Sequence, residues 1–143
     1  MWKVTLLVML VLSGCTPIRD PKDLHGRYQL TSKTSRISLE IHPDHTYVEI
    51  VDYADGASER TSDRWDWSAG CLLFKGILLP ELNGIKPNDV MRGGGSLERS
   101  DFRKTARGTD QLDWCFGGEK SFGKTKLIPY PDKDIEFQMI TPY

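Results

Sequence analysis

The chain has 143 residues, with 19 Lys+Arg against 20 Asp+Glu and a formal net charge of −1. That length supports one domain with a real core. The near-balance of charge gives no basic footprint for nucleic acid and no polybasic run for a membrane, so any anchoring has to come from apolar groups.

Met1-Trp2-Lys3 supplies one positive charge, and Val4 to Leu12 is apolar except for Thr5. Crossing a bilayer takes about 20 apolar residues, so this run is too short to span. A charged start, a short apolar core and the small residues Ser13 and Gly14 describe a secretory signal. A cysteine follows at once, and Leu12-Ser13-Gly14-Cys15 resembles the lipobox of bacterial lipoproteins. The resemblance covers residues 1–15. It implies removal of residues 1–14, a diacylglyceryl group on the Cys15 thiol and acylation of the new amino terminus. Each buried CH₂ contributes about 0.8 kcal/mol, and two or more chains anchor stably where one does not. Thr16, rather than Asp, follows the cysteine. In a two-membrane cell that pattern implies an outer-membrane lipoprotein facing the periplasm.

Thr16 to Asp23 reads TPIRDPKD, with two prolines and alternating charges. The expectation is a stiff, solvated tether of at most roughly 28 Å. A single β-domain is expected over residues 24–141. Leu24 to Leu30 offers Tyr28 and Leu30 on one face, and Ile37, Leu39 and Ile41 alternate cleanly. His42 to Thr46 is a turn. Tyr47 to Tyr53 pairs back as a hairpin, Ala54 to Gly56 turns, and Thr61 to Ser68 places Trp65 and Trp67 on one face. Ser68 to Gly70 leads into an apolar run from Cys71 to Leu79. Residues 80–108 are irregular, with Pro80, Pro87 and Gly93 to Gly95, and admit a short strand around Ser96 to Phe102. Such a long loop is functional, mobile or a misread element. Strands return at Gln111 to Phe116, Lys124 to Ile128 and Ile135 to Ile140. The fold class is all-β: an antiparallel meander closing into a small lipocalin-like barrel or sandwich.

Cys71 and Cys115 are left as an even pair in an oxidising compartment. A disulfide here contributes about 4 kcal/mol at most on the chain-entropy model. Two buried free thiols are the alternative, and geometry decides between them.

A second resemblance rests on Asp23-Leu-His-Gly-Arg-Tyr28, Pro43-Asp-His-Thr-Tyr47, Ser62-Asp-Arg-Trp65, Leu72-Leu-Phe74, and Lys126-Leu-Ile128 with Asp132 and Ile135-Glu-Phe137. Together these are similar to a widespread group of small bacterial proteins with a lipocalin-like β-meander. The match spans most of residues 23–140, and its motifs are turn and core signatures that specify fold rather than activity. Two positions depart from the group. His45 replaces the turn glycine, although His tolerates positive φ better than most residues. Asp63 replaces the Gly of Gly-x-Trp, which loosens the register of that strand.

Gly118 to Thr125 satisfies G-x-x-x-x-G-K-[ST]. A P-loop needs a helix after it, and Pro129 and Pro131 leave barely one turn, so the segment reads as a hairpin turn and no nucleotide is expected. His42 and His45 share a turn with Asp44, but zinc favours ligands from separated positions and no metal or other cofactor is implied. No G-x-S-x-G is present, and no acid–base pair is nominated by spacing. Trp65 and Trp67 are core candidates that in a closed barrel also suit a cavity mouth. Asp89 and Arg92 are candidate binding residues in the irregular segment.

The expected function is a lipid-anchored, non-enzymatic binding or interaction protein of the bacterial cell envelope: an inhibitor, an immunity protein against a toxin, or an accessory protein. The alternatives are a carrier of a small apolar ligand and, more remotely, a hydrolase assembled from scattered residues of 80–108.

Overall fold

The computed structural model describes residues 16–87, 103–130 and 135–143. Cys15, Asp89, Arg92 and the strand expected around Ser96 to Phe102 lie outside the described residues. Ten strands follow in order: β1 (Thr16–Pro17), β2 (Gly26–Thr31), β3 (Ser35–Ile41), β4 (Thr46–Tyr53), β5 (Ser58–Ser68), β6 (Cys71–Leu79), β7 (Arg103–Lys104), β8 (Asp110–Ser121), β9 (Lys124–Ile128) and β10 (Phe137–Pro142). Eight of them form one closed antiparallel sheet, running β8-β6-β5-β4-β3-β2-β10-β9 and back to β8. This is the lipocalin-like barrel rather than the sandwich, and closure gives each of the eight strands a neighbour on both sides over at least part of its length.

The period-2 pattern sets the faces. Tyr28, Leu30, Ile37, Leu39 and Ile41 are buried as the alternation requires. Tyr47, Phe74, Phe116 and Phe137 form a chain of ring contacts across the interior, at centroid distances of 5.1, 4.9 and 5.7 Å. Burying each such side chain contributes about 1.5–3 kcal/mol. Asp44 fixes the β3–β4 turn by accepting from the Thr46 amide (3.0 Å) and hydroxyl (2.6 Å), and His45 takes φ 66° in place of the expected glycine. Asp63 pairs with Tyr47 in an unbroken β4–β5 ladder, so its departure from the group's pattern costs no register there.

The stretch from Thr16 to Asp23 differs from the expected solvated tether. Thr16 and Pro17 pair with Lys120 and Glu119, the Ile18 amide donates to the Gly118 carbonyl at 3.0 Å, and Ile18 is buried. A 3-10 turn over Pro21–Leu24, capped by Asp20, then buries Leu24 completely. The cause is the overhang of β8. Its ladder with β6 ends at Cys71↔Gly117, which leaves the β8 edge beyond Gly117 for β1 to cover. Gly118 makes this packing possible, because a Cβ there would lie 2.9 Å from Leu24 Cδ2.

Cys71 and Cys115 are joined in a disulfide, with Cα atoms 5.7 Å apart. They sit diagonally on neighbouring strands, next to the Leu73↔Cys115 and Cys71↔Gly117 pairs. The bond ties the start of β6 to β8 and closes a 44-residue separation.

Candidate functional site at the distal end of the barrel

The barrel has two distinct ends. Thr16 enters at the proximal end, beside Lys120 and the β3–β4, β5–β6 and β8–β9 turns. The distal end holds the β4–β5 turn and the flanks of the irregular segment, where Arg103 and Lys104 pair with Gln111 and Asp110. Nine residues of β8 separate Lys120 from Gln111, which at about 3.3 Å per residue is roughly 30 Å.

Toward the distal end the sheet comes apart locally. β5 ladders with β6 only from Trp65 to Ser68, while its earlier residues pair with β4 alone. Gly76, at φ 58°, marks a bulge in β6 between Phe74 and Ile77. Backbone groups that lose ladder partners are satisfied by side chains, as buried polar groups must be. The Tyr47 hydroxyl donates to the Lys75 carbonyl (2.5 Å), Gln111 Nε2 to the Gly76 carbonyl (2.8 Å), and the Gly76 and Leu78 amides donate to Asp113 Oδ1 and Glu49 Oε2 (both 2.8 Å).

Glu49 is 1% exposed. Burial pushes its carboxyl well above the ordinary range, the Leu78 amide partly offsets this, and the Glu59 charge adds to it. Its Oε1 and the Tyr130 hydroxyl are both buried with no hydrogen-bond partner among the described residues. Glu59 behaves oppositely. Burial raises it, but hydrogen bonds from Thr105, Thr109 and Tyr53 outweigh burial and lower it. Glu59 Oε1 accepts from the Tyr53 hydroxyl at 2.6 Å and from the Thr109 hydroxyl at 2.5 Å. Tyr53 is pushed up to about 12 by burial and by Glu59.

Above this network lies a pocket of about 330 Å³, lined among others by Tyr53, Pro80, Pro87, Lys104, Arg107 and Thr109. The Arg107 guanidinium lies 3.9 Å from the Tyr53 ring centroid and pairs with Asp55 Oδ2 at 2.5 Å. Lys104 pairs with Asp110 at 2.6 Å and Lys86 with Glu81 at 3.6 Å. The two carboxyls with opposed shifts, Glu49 and Glu59, do not make an acid–base pair for a substrate. Glu49 is closed off from solvent, and Glu59 is held by two hydroxyls. The arrangement presents a Tyr–Arg stack between prolines and charges of both signs.

The residues singled out by sequence fall in different places. Trp65 is 2% exposed at the proximal end, its indole N–H donates to the His42 carbonyl at 3.0 Å, and His45 stacks on it at 4.3 Å. Trp67 is partly buried and packs against the core. His42 faces Glu40 (3.6 Å) and stacks on Tyr143, so the two turn histidines serve different contacts. No cluster of three metal-ligating side chains occurs among the described residues. Gly118 to Thr125 is the β8–β9 hairpin, with Lys120↔Thr125 and Ser121↔Lys124 paired, and it runs on into β9 rather than into a helix. Asp89 and Arg92 lie outside the described residues, but their flanks, Pro87 and Arg103, are both at the distal end. Tyr53, Glu59, Arg107 and Thr109 were not singled out by sequence, because the contacts that bring the Tyr53–Glu59 pair to Thr109 span 50 and 56 positions.

No family model, curated protein or solved structure matches the chain.

Proposed function

We infer that the chain is a lipid-anchored, non-enzymatic binding protein of the bacterial envelope, and that the distal end of the barrel holds a protein partner. The observation that carries this reading is the separation of the two ends. The residue after Cys15 enters at the proximal end, and both flanks of the irregular segment emerge at the other, roughly 30 Å away. An anchor at Cys15 would attach the lipid at the proximal end and leave the distal face as the end farthest along the barrel from it. Tyr and Arg at the centre of that face are the residue types that most often dominate interface energy. In a two-membrane cell, Thr16 after the cysteine favours the outer membrane. The carrier alternative gains no support from the interior, where Trp65, Tyr28, Tyr47, Tyr130, Phe74 and Phe116 are all at or below 2% exposure.

Photo-crosslinking in intact cells tests this reading. Benzoyl-phenylalanine at Glu81, on the distal rim, is expected to give one discrete adduct. The same group at Arg64, on the exposed wall of β5, is expected to give none. No adduct from Glu81, or equal adducts from both positions, counts against a distal partner.

A further inference from the structure

Hairpin chemistry makes the β8–β9 turn unusual. Phe122 has φ 50° and Gly123 φ 76°, the pairing of positive φ values that two-residue hairpin turns require. The first position of such a turn favours Asn, Asp or Gly; this fold uses Asn83-Gly84 and the small Ala69-Gly70 elsewhere, which leaves Phe122 as the bulky residue in that position. A bulky residue at positive φ is strained. Phe122 gains no burial in return, because it is 81% exposed.

Its neighbours are equally specific. The exposed large hydrophobic side chains among the described residues are Phe122, Ile140 at 60% and Tyr143 at 54%. Ile140 and Tyr143 line a proximal groove of about 540 Å³ that also takes in Gly123, next to Phe122. Lys22, Lys120 and Lys124 line the same groove, with Asp23 the one acid among its lining residues. Lys22 is paired with Asp20 at 3.2 Å. Lys120 and Lys124 make no ion pair among the described residues. Composition shows no polybasic run, yet the fold brings Lys22 of the 3-10 turn beside Lys120 and Lys124 of the β8–β9 hairpin, around exposed apolar groups.

Thr16 lies against this face. It pairs with Lys120, and its hydroxyl donates to the Lys120 carbonyl at 3.3 Å. On the anchored reading Cys15 immediately precedes Thr16, so its lipid would attach beside the Phe122 turn.

We propose that this proximal face docks flat on an anionic lipid bilayer, with Phe122 inserted at the headgroup boundary and Lys120 and Lys124 on lipid phosphates. Apolar and aromatic side chains favour that boundary, and lysines held against the surface are drawn to anionic lipids. The docked face fixes the orientation of the barrel, which a lipid chain alone leaves free to swing. The strained Phe122 is thereby explained: its side chain is buried in lipid rather than in protein. The inference rests on the anchored reading only for bringing a bilayer to this end.

The test uses the full chain purified from membranes, with a trifluoromethyl-phenylalanine at Phe122, reconstituted in vesicles of phosphatidylethanolamine and phosphatidylglycerol carrying headgroup nitroxides. The expected result is strong fluorine line broadening at 122. It should fall several-fold in the Lys120→Glu/Lys124→Glu variant and in phosphatidylcholine vesicles, while the same probe at buried Phe74 stays sharp. A chain that floats with the vesicles yet shows no broadening at 122 overturns the docking and leaves the anchor standing. A chain that does not float overturns both. Broadening that is unchanged by the two substitutions overturns the electrostatic contact. Since Lys120, Phe122 and Lys124 are exposed, unchanged circular dichroism of the variants is expected and checks that the fold is intact.

Discussion

Glu49 Oε2 accepts a hydrogen bond from the Leu78 amide at 2.8 Å, across a seam where β5 has ceased to ladder with β6. A side chain of β4 thus takes a role that a neighbouring strand fills elsewhere in the barrel. The arrangement has a thermodynamic consequence, because the carboxyl that does this is buried.

Burial holds the folded-state pKa of Glu49 well above the ordinary carboxyl value of 4.5, so between those two values the folded protein holds a proton that the unfolded chain releases. Stability from this group is present below the unfolded pKa and is lost as pH rises through the folded one. Glu49→Gln keeps an acceptor for Leu78 and removes the ionisation. Its melting temperature, followed by circular dichroism from about pH 5 to about pH 8, should fall less steeply than the wild type's and exceed it at the alkaline end. A variant with the wild-type slope would show that another group controls the dependence. Glu59, with its pKa lowered, acts in the opposite sense and loses its contribution only as pH falls.

Gly118→Ala should loosen the docked N-terminal segment. Its new Cβ meets Leu24 Cδ2 at 2.9 Å and Cδ1 at 3.0 Å, and overpacking of this kind costs about 1–3 kcal/mol. Limited proteolysis at Arg19 and Lys22 should accelerate before the barrel itself is cut. Equal cleavage in both proteins would mean that the segment packs without needing the glycine.

Reducing the Cys71–Cys115 bond, or replacing both cysteines with Ala, should cost about 2–4 kcal/mol on denaturant unfolding. The native, never-reduced protein should show neither thiol on titration. Two reactive groups in that sample would contradict the bond.

Cys15→Ala should leave an unprocessed or soluble chain and abolish labelling by a fatty-acid precursor. Persistent labelling would place the lipid elsewhere and remove the basis for an anchored protein.

Replacing Asp89 to Leu97 by a Gly/Ser linker of equal length should leave the β-sheet circular dichroism and the melting transition nearly unchanged while abolishing the Glu81 adduct. Should melting collapse instead, the stretch is structural and its binding role falls with it.

Strand order and turns were legible locally because a strand's two faces repeat every second residue. Ile37-Ser-Leu-Glu-Ile41 announces its buried face outright, and β9 runs from Lys124 to Ile128 as the pattern predicts. The P-loop-like match resolved as a hairpin for a reason visible in Pro129 and Pro131. Tyr47 to Tyr53 read as a strand, but its buried face was not legible. Tyr47, Glu49 and Val51 point inward, but Val48 and Ile50 on the opposite face are just as apolar, so periodicity gave no warning of a buried acid.

The sequence by itself determined the local elements: alternating strands and turn chemistry, with an even cysteine pair beside them. Those are properties of neighbouring residues, set by backbone geometry and local polarity. The tertiary structure decided everything that depends on closure. It made the sheet a barrel rather than a sandwich by pairing β2 with β10, and it laid Thr16 to Leu24 on the overhang of β8. It also brought Tyr53, Glu59 and Thr109 into one network and gathered Lys22, Lys120 and Lys124 around exposed apolar groups. The contacts that decide this, Thr109 with Glu59 and Thr16 with Lys120, join residues 50 and 104 positions apart, where chain-closure entropy is repaid only by the assembled core, so no local pattern encodes them.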